Sequence, residues 1–362
     1  MTSQIKVLIV DDSAFARLII ARRLGRDPNL RVVGVAIDGV DALAKVRSLR
    51  PDVVTLDVEM PNMDGLTTLE RIMDECPTPV VMLSRLTDQD TETTIKALEA
   101  GAVDFILKPS YADAGFSTMT ERLAEKVKLA AKVDVRRLKA ISSSGKGIRQ
   151  RSKVSTPSGT KTTRKTTPAK VVVVGSSTGG PRALHELIPG LPADLPATLI
   201  LVQHMPSGFT KSLASRLANF AQIEVKEAEA NDRLRTGLAL IAPGDYHLSV
   251  SNGDRVRLTR EPPKHGLRPA VDVTMEAAAR AYRDRCIGVV LTGMGSDGTA
   301  GAGIIKRLGG RVIVQDESTS AVYGMPRSVI EAGYADRVVP LPQMAQEILE
   351  LCLEPVASKA GV

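Results

Sequence analysis

A chain of 362 residues is longer than one ordinary hydrophobic core supports and points to two domains. Its 43% hydrophobic and 25% charged residues are those of an ordinary globular protein, and without a run of about eighteen apolar residues a membrane span is not expected. The net charge of +7 is local, because residues 136–170 hold eleven Lys or Arg and no acid and leave −4 for the rest; with no Trp and 3% aromatics, a base-stacking nucleic-acid binder is not expected either. The three cysteines, Cys76, Cys286 and Cys352, are too scattered for a disulfide scaffold or a zinc site.

The start, MTSQIKVLIVDD, enters a strand at once, without the charged opening and cleavage site of a signal peptide, so a cytoplasmic location is expected. Residues 5–10 are an apolar strand ending at Asp11 and Asp12, and a helix follows with Phe15, Leu18, Ile19 and Leu24 as its apolar positions. The alternation then repeats: strand 32–36, helix 41–50, strand 53–56 ending at Asp57, helix 66–73, strand 80–83, helix 91–100, strand 105–107 closed by Lys108 and Pro109. Five βα units predict an open parallel sheet with right-handed crossovers.

Asp11, Asp12, Asp57, Ser84 and Lys108 all fall at or just past the carboxyl ends of these strands. Three carboxylates on one rim repel each other, and an oxygen-preferring divalent cation, most simply Mg2+, relieves that repulsion. A lysine and a hydroxyl beside them suit the oxygens of a phosphoryl group, and an aspartate can itself accept one. Any one of the five could be a solubilising strand-end residue; all five at equivalent positions in one repeat is a pattern. The segments VLIVDDS, LDVEMPNMDG, VMLSRLT and GAVDFILKP resemble a two-component receiver domain. That resemblance implies Asp57 as the phosphorylated residue, Mg2+ on Asp11, Asp12 and Asp57, and Ser84 and Lys108 as contacts of the phosphoryl group. It also implies a histidine kinase as the donor. Phe105 stands where many receivers carry a rotating aromatic switch, although a plain core role also fits it. Arg85 occupies a position where receivers usually have a small residue.

Residues 115–138 carry Leu123, Val127 and Ala130 at helical spacing. Residues 140–169 are almost entirely Ser, Thr, Gly, Lys and Arg, a composition that cannot build a core and reads as a flexible tether. A second α/β domain starts near Pro168. Lys170–Glu186, KVVVVGSSTGGPRALHE, is a buried strand, a small-residue turn and a helix start, and its turn fits the G-x-S-x-G nucleophile pattern at Ser177. Then come a strand ending at His204, helix 209–220, short strands 223–228 and 237–242, and a hairpin around 251–254. Helix 273–282, strand 286–291, the loop TGMGSDGTAGAG, helix 304–308, strand 311–315, helix 327–332, a short strand at 338–339 and helix 341–353 complete it.

A serine needs a base to become a nucleophile near neutral pH. Of four histidines only His204 lies at the end of an expected parallel strand, the rim that also holds Ser177. Asp297, on the loop after strand 286–291, reaches the same rim and can orient the imidazole. The order Ser, His, Asp differs from the Ser, Asp, His order common in α/β-hydrolases, so the serine motif does not license that fold. Glycines 179, 180, 293 and 295 let backbone approach closely, and amides near Met294 could form an oxyanion hole. A phosphate cradle is the rival reading of the first loop, weakened by the lack of a G-x-G-x-x-G or P-loop pattern.

The segments VVGSSTGGP, LVQHMP, LIAPGDYHL, LTGMGSDG and QDESTSAVYGMP resemble the catalytic domain of the chemotaxis protein-glutamate methylesterases, and the order of domains matches that family. The resemblance implies a receiver at 1–125 of flavodoxin-like fold, a helix and basic flexible linker at 126–168, and a Rossmann-like α/β methylesterase domain at 169–355. That second domain would have a mostly parallel sheet and one β-hairpin. It implies Ser177 as nucleophile, His204 as base, Asp297 as orienting acid, and Thr178 and Met294 at the substrate and oxyanion positions. The reaction implied is hydrolysis of glutamate γ-methyl esters on the cytoplasmic helices of chemoreceptors, with release of methanol, together with deamidation of receptor glutamines. No cofactor is expected in the catalytic domain, and a mostly monomeric protein without nucleic-acid partners or membrane insertion is expected. The receiver is expected to restrict the Ser177 rim until Asp57 is phosphorylated. A regulator that acts by binding DNA or protein through the basic linker, without esterase activity, is the alternative.

Overall fold

The computed structural model describes residues 4–109, 116–135, 168–251 and 253–355. The chain divides into two compact units, Met1–Arg136 and Arg137–Val362. The basic linker expected between the domains falls largely on residues 136–167, outside the described residues.

In the first unit, β1 (Ile5–Val10), β2 (Leu30–Ala36), β3 (Val53–Asp57), β4 (Val80–Ser84) and β5 (Asp104–Leu107) form a parallel sheet in the order β2-β1-β3-β4-β5. The strands alternate with α1 (Ala14–Leu24), α2 (Gly39–Leu49), α3 (Gly65–Glu75), α4 (Asp88–Ala100) and α5 (Phe116–Ala130). This is the flavodoxin-like receiver architecture expected from five βα units. Strands β3 and β4 are buried along their whole length, because helices cover both faces. Each of the first four helices begins on a residue whose side chain accepts an amide of the first turn: Ser13, Asp38, Asp64 and Thr87. Such a cap contributes about 1 kcal/mol.

One helix face differs from the expectation. Helix α1 buries Ala16, Ile20 and Leu24, leaving Phe15 52% and Leu18 66% exposed. Its sequence, AFARLIIARRL, is apolar on more than one side, so periodicity alone does not choose the packed stripe. Helix α4 also starts three residues before the expected Thr91, where Thr87 accepts from the Asp90 amide.

The second unit is built on a seven-stranded sheet in the order β14-β13-β12-β6-β7-β9-β8. Its strands are β6 (Lys170–Ser176), β7 (Ala197–Gln203), β8 (Glu224–Glu227), β9 (Leu238–Ile241), β12 (Cys286–Val290), β13 (Arg311–Gln315) and β14 (Arg337–Val339). Every pairing in it is parallel, and the expected hairpin, β10 (His247–Ser251) with β11 (Arg255–Thr259), forms a separate two-stranded sheet. The helices are α6 (Gly180–Leu187), α7 (Phe209–Ala218), α8 (Val271–Tyr282), α9 (Thr299–Arg307), α10 (Met325–Glu331) and α11 (Leu341–Leu353).

Strand β6 is central and buried at all seven positions. One core runs beneath it, where Val171, Val173 and Val290 pack with Val271, Met275 and Tyr282 of α8. Each such side chain contributes roughly 1.5–3 kcal/mol relative to exposure. Helix α9 starts five residues before the expected Ile304. Gly301 and Gly303 hide it from propensity rules, but a Cβ at Gly301 would lie 2.5 Å from that of Met275, so the glycine permits the close packing of α9 on α8. No helix among the described residues is long and apolar enough to cross a membrane.

Candidate functional sites

The carboxyl edge of the first sheet gathers Asp11 and Asp12 after β1, Asp57 at the end of β3 and Lys108 just past β5. Ligand oxygens of the three aspartates lie within 4.8 Å of one another. The Lys108 ammonium sits 2.6 Å from a carboxylate oxygen of Asp11 and 2.6 Å from one of Asp57. Asp11 and Asp57 are buried, so one lysine faces two carboxylates withdrawn from water, with the exposed Asp12 beside them. Burial pushes the Asp57 carboxyl up to about 6, against the pull of Lys108 and with the help of Asp11 and Asp12. An all-oxygen, net-negative cluster of this kind fits Mg2+, and these residues form the acidic site of a receiver.

Ser84, at the end of β4, accepts a hydrogen bond from the Thr94 hydroxyl at 2.8 Å and donates to the Arg85 carbonyl, while the Lys108 amide bonds its carbonyl at 2.7 Å. Thr94 was not singled out from sequence; it sits inside a helix with nothing around it to mark it. Phe105 is buried, with the Lys126 ammonium 5.8 Å from its ring centre and held by Asp104 at 2.7 Å. Arg85 reaches Glu59 at 3.5 Å.

In the second unit β6 and β7 pair through their last residues, Ser176 with Gln203. Ser177 and His204 are the next residue on each strand, and the His204 amide bonds the Ser176 carbonyl at 3.1 Å. On the other side β6 pairs with β12, which leads into the loop carrying Asp297. His204 Nε2 lies 2.8 Å from Asp297 Oδ2, and both side chains are almost wholly buried. Asp297 is held further by the start of α8: the Val271 amide donates to Oδ2 at 2.7 Å and the Asp272 amide to Oδ1 at 2.9 Å. Burial raises its pKa, but the bond and charge of His204 and the two amides outweigh it and hold the carboxyl below its ordinary value. The aspartate is therefore an anion near neutral pH, suited to accept from Nε2–H. With Nε2 turned to the carboxylate, Nδ1 is the ring nitrogen left to exchange a proton.

The serine turn is laced from both neighbouring strands. The Ser177 amide bonds the Thr292 carbonyl at 3.0 Å, and its own carbonyl accepts from the Gly180 amide and from Gln203 Nε2 at 2.9 Å. The Ser176 hydroxyl donates to Gln203 Oε1 at 2.7 Å. Thr292 donates through its hydroxyl to the Thr178 carbonyl and through its amide to Gln315 Oε1. Gly179, at φ 78°, starts α6 in a conformation that side chains resist. A Cβ on Gly293 would lie 2.8 Å from that of Ser177, so the Met294 loop backs directly onto the serine. Thr178 is buried in the turn and Met294 is 48% exposed on the facing loop.

The expected site residues thus fall on two sheet edges, one for each unit. Sequence reading missed Gln203 and Gln315, although each is the polar residue that closes an apolar run, the same signal that marked His204. It also missed Asp272, which nothing in the sequence links to the loop after β12.

These two sites define a class: a receiver joined in one chain to an α/β unit whose serine turn stands beside a histidine–carboxylate pair. Comparison with known proteins gives the family. The CheB methylesterase family matches residues 172–348 and the response regulator receiver domain family matches residues 7–119. A protein-glutamate methylesterase/protein-glutamine glutaminase of Symbiobacterium thermophilum is 48% identical over 95% of this chain and 96% of its own length. One from Thermotoga maritima is 45% identical over 96% of this chain and 98% of its own. The solved CheB methylesterase catalytic domain of Thermotoga maritima is 50% identical, covering 50% of this chain and 98% of that domain at a TM-score of 0.49. The chain belongs to the CheB-type protein-glutamate methylesterases with an N-terminal receiver domain, and it is a hydrolase of chemotaxis signalling.

Proposed function

We propose that Ser177, His204 and Asp297 carry out the hydrolysis of glutamate γ-methyl esters on chemoreceptor helices. His204, with its Nε2–H held by Asp297, takes the Ser177 proton at Nδ1 as Oγ attacks the ester carbonyl. It then returns that proton to the leaving methoxide, and methanol departs from a glutamyl–serine ester. Water then attacks the acyl carbon while Nδ1 takes one of its protons, and Nδ1 passes that proton to Ser177 Oγ as the acyl–oxygen bond breaks, freeing Ser177 and a glutamic acid that ionises to the carboxylate. A receptor glutamine follows the same path with ammonia as the leaving group. Amides of the serine turn and of Met294 stabilise the oxyanion, and Thr178 lines the substrate position.

The observation that supports this reading best is the 2.8 Å His204–Asp297 contact on the strand next to the serine turn. Methanol release from methylated receptor fragments tests it. Ser177→Ala and His204→Ala are each expected to lose activity by a factor on the order of a thousand or more. Activity within about tenfold of wild type in either variant contradicts the assignment.

The receiver supplies control. Asp57 accepts a phosphoryl group from the chemotaxis histidine kinase, and Lys108 and Ser84 engage its oxygens. Phe105 reports the change through the β5 face. Mg2+, held by Asp11, Asp12 and Asp57, would neutralise charge on the transferring phosphoryl group. The protein works in the cytoplasm, where kinase and receptor helices are both present. A small-molecule phosphodonor is expected to raise methanol release by wild type and to leave Asp57→Asn unchanged; equal rates with Asp57 shown to be modified contradict this control.

A further inference from the structure

Asp272 is a buried carboxylate, 1% exposed, that takes no part in the relay described above. It lies in the first turn of α8. Its Oδ1 accepts from the Gly298 amide at 2.9 Å and the Gly301 amide at 2.8 Å, the N-terminal amides of α9. Its own amide donates to Asp297 Oδ1 at 2.9 Å. Asp297 and Asp272 therefore cap each other's helices: Asp297, next to the start of α9, caps α8, and Asp272, at the start of α8, caps α9. The two form a closed ring of hydrogen bonds around the turn at Gly298. That turn has φ 98° and no side chain to stiffen it.

We propose that Asp272 is a positioning residue for the hydrolysis, acting by locking the Gly298–Gly301 turn so that Asp297 stays aimed at His204 Nε2. The proposal rests on Asp297 being the orienting acid. The titratable and charged groups facing the ring are His204 across Asp297, and Lys264 Nζ at 3.8 Å and His265 Nε2 at 3.4 Å from Asp272 Oδ2. Without the Asp272 acceptor, the amides of the turn lose their partner, the Asp297 carboxylate gains freedom to swing, and the imidazole loses its fixed tautomer and direction.

The test is a proton NMR measurement on the full chain, paired with kinetics. The proton shared by His204 Nε2 and Asp297 should resonate well downfield of the amide envelope, and loss of the signal in His204→Ala assigns it. In Asp272→Ala the signal is expected to move upfield or vanish, with kcat lower by on the order of tenfold to a hundredfold and KM within about twofold. Asp272→Asn, which keeps the acceptor oxygen, is expected to retain the signal and recover most of kcat. Should Asp272→Ala fail to fold, Asp272→Glu, whose carboxylate is displaced by one methylene, carries the same expectation. A signal in its wild-type position in the folded variant, or Asn behaving like Ala, overturns the proposal. The signal is read without substrate, so a wild type that shows it but releases no methanol counts against the esterase assignment and not against the role of Asp272.

Discussion

The two rims of this protein use the same place, the carboxyl edge of a parallel sheet, in opposite electrostatic states. In the receiver, Lys108 is shared between the buried carboxylates of Asp11 and Asp57, each of which accepts one amide besides, from Ser13 and Val58, and Asp57 is still pushed up to about 6. In the catalytic unit both oxygens of Asp297 are taken by amides and His204, and its pKa is lowered. The first rim has charge left over for a cation and a phosphoryl group. The second is satisfied before any substrate arrives, as a site that works by preorganisation requires.

The helix starts show the same contrast. Receiver helices α1 to α4 are capped by their own Ser, Asp or Thr. Helices α6 to α11 have no local side-chain cap, and three of them, α6, α7 and α9, begin on a glycine in a positive-φ conformation. The amides at the starts of α8 and α9 are instead spent on Asp297 and Asp272. In one unit capping is a matter of local stability; in the other it builds the site.

The comparison can be broken most sharply at Asp297. Asp297→Asn is expected to lower kcat by roughly a thousandfold or more, since the amide cannot hold the required tautomer. A small loss in methanol release would place the catalytic rim closer to the receiver rim, with spare capacity. Next in size is Gly293→Ala. The new Cβ would meet the Ser177 Cβ at 2.8 Å and the Met325 sulfur at 2.3 Å, so the loop must shift and kcat should fall by about a hundredfold. Esterase kinetics alongside a thermal melt separate loss of the site from loss of the fold.

Gln203→Ala takes away the acceptor of the buried Ser176 hydroxyl and one of the two hydrogen bonds to the Ser177 carbonyl, leaving the one from the Gly180 amide. Denaturant titration is expected to show a loss of about 1–3 kcal/mol. On the receiver side, Mg2+ should raise the thermal midpoint of the wild type by a few degrees, roughly what saturating a weak site contributes. Asp11→Ala should abolish that rise; a receiver indifferent to Mg2+ would remove the electrostatic contrast. The smallest effect is in acid. The lowered pKa of Asp297 contributes stability that is present above its ordinary unfolded value near about 4 and is lost as pH falls through the folded value. The stability gap between wild type and Asp297→Asn should therefore close on acidification below about pH 4, as read from urea midpoints across pH.

Much of this was legible in the chain because parallel strands buried on both faces are runs of Val, Ile and Leu that end on a polar residue. That pattern gave the five-strand receiver, the central β6, and the rim positions of Asp57, Lys108, Ser177 and His204. Helix α9 was partly hidden because Gly301 and Gly303 weigh against helix, and their reason is the packing of α8, a contact made across the fold. The apolar stripe of α1 was misjudged because AFARLII offers more than one. Which ring nitrogen of His204 meets Asp297, and that Asp272 closes a ring with a loop 26 residues further on, are facts of three-dimensional register that spacing does not carry.

Covalent labelling reads the central claim directly: a serine is made reactive by an imidazole that a buried carboxylate holds in place. The full-length protein is treated with a fluorophosphonate, digested, and the peptide that spans Lys170–Glu186 is weighed and sequenced by mass spectrometry. The account predicts one adduct, on Ser177, in wild type, and its near-complete loss in His204→Ala and Asp297→Asn. Labelling of Ser177 that persists at the wild-type rate in those variants, or an adduct on another residue alone, contradicts it.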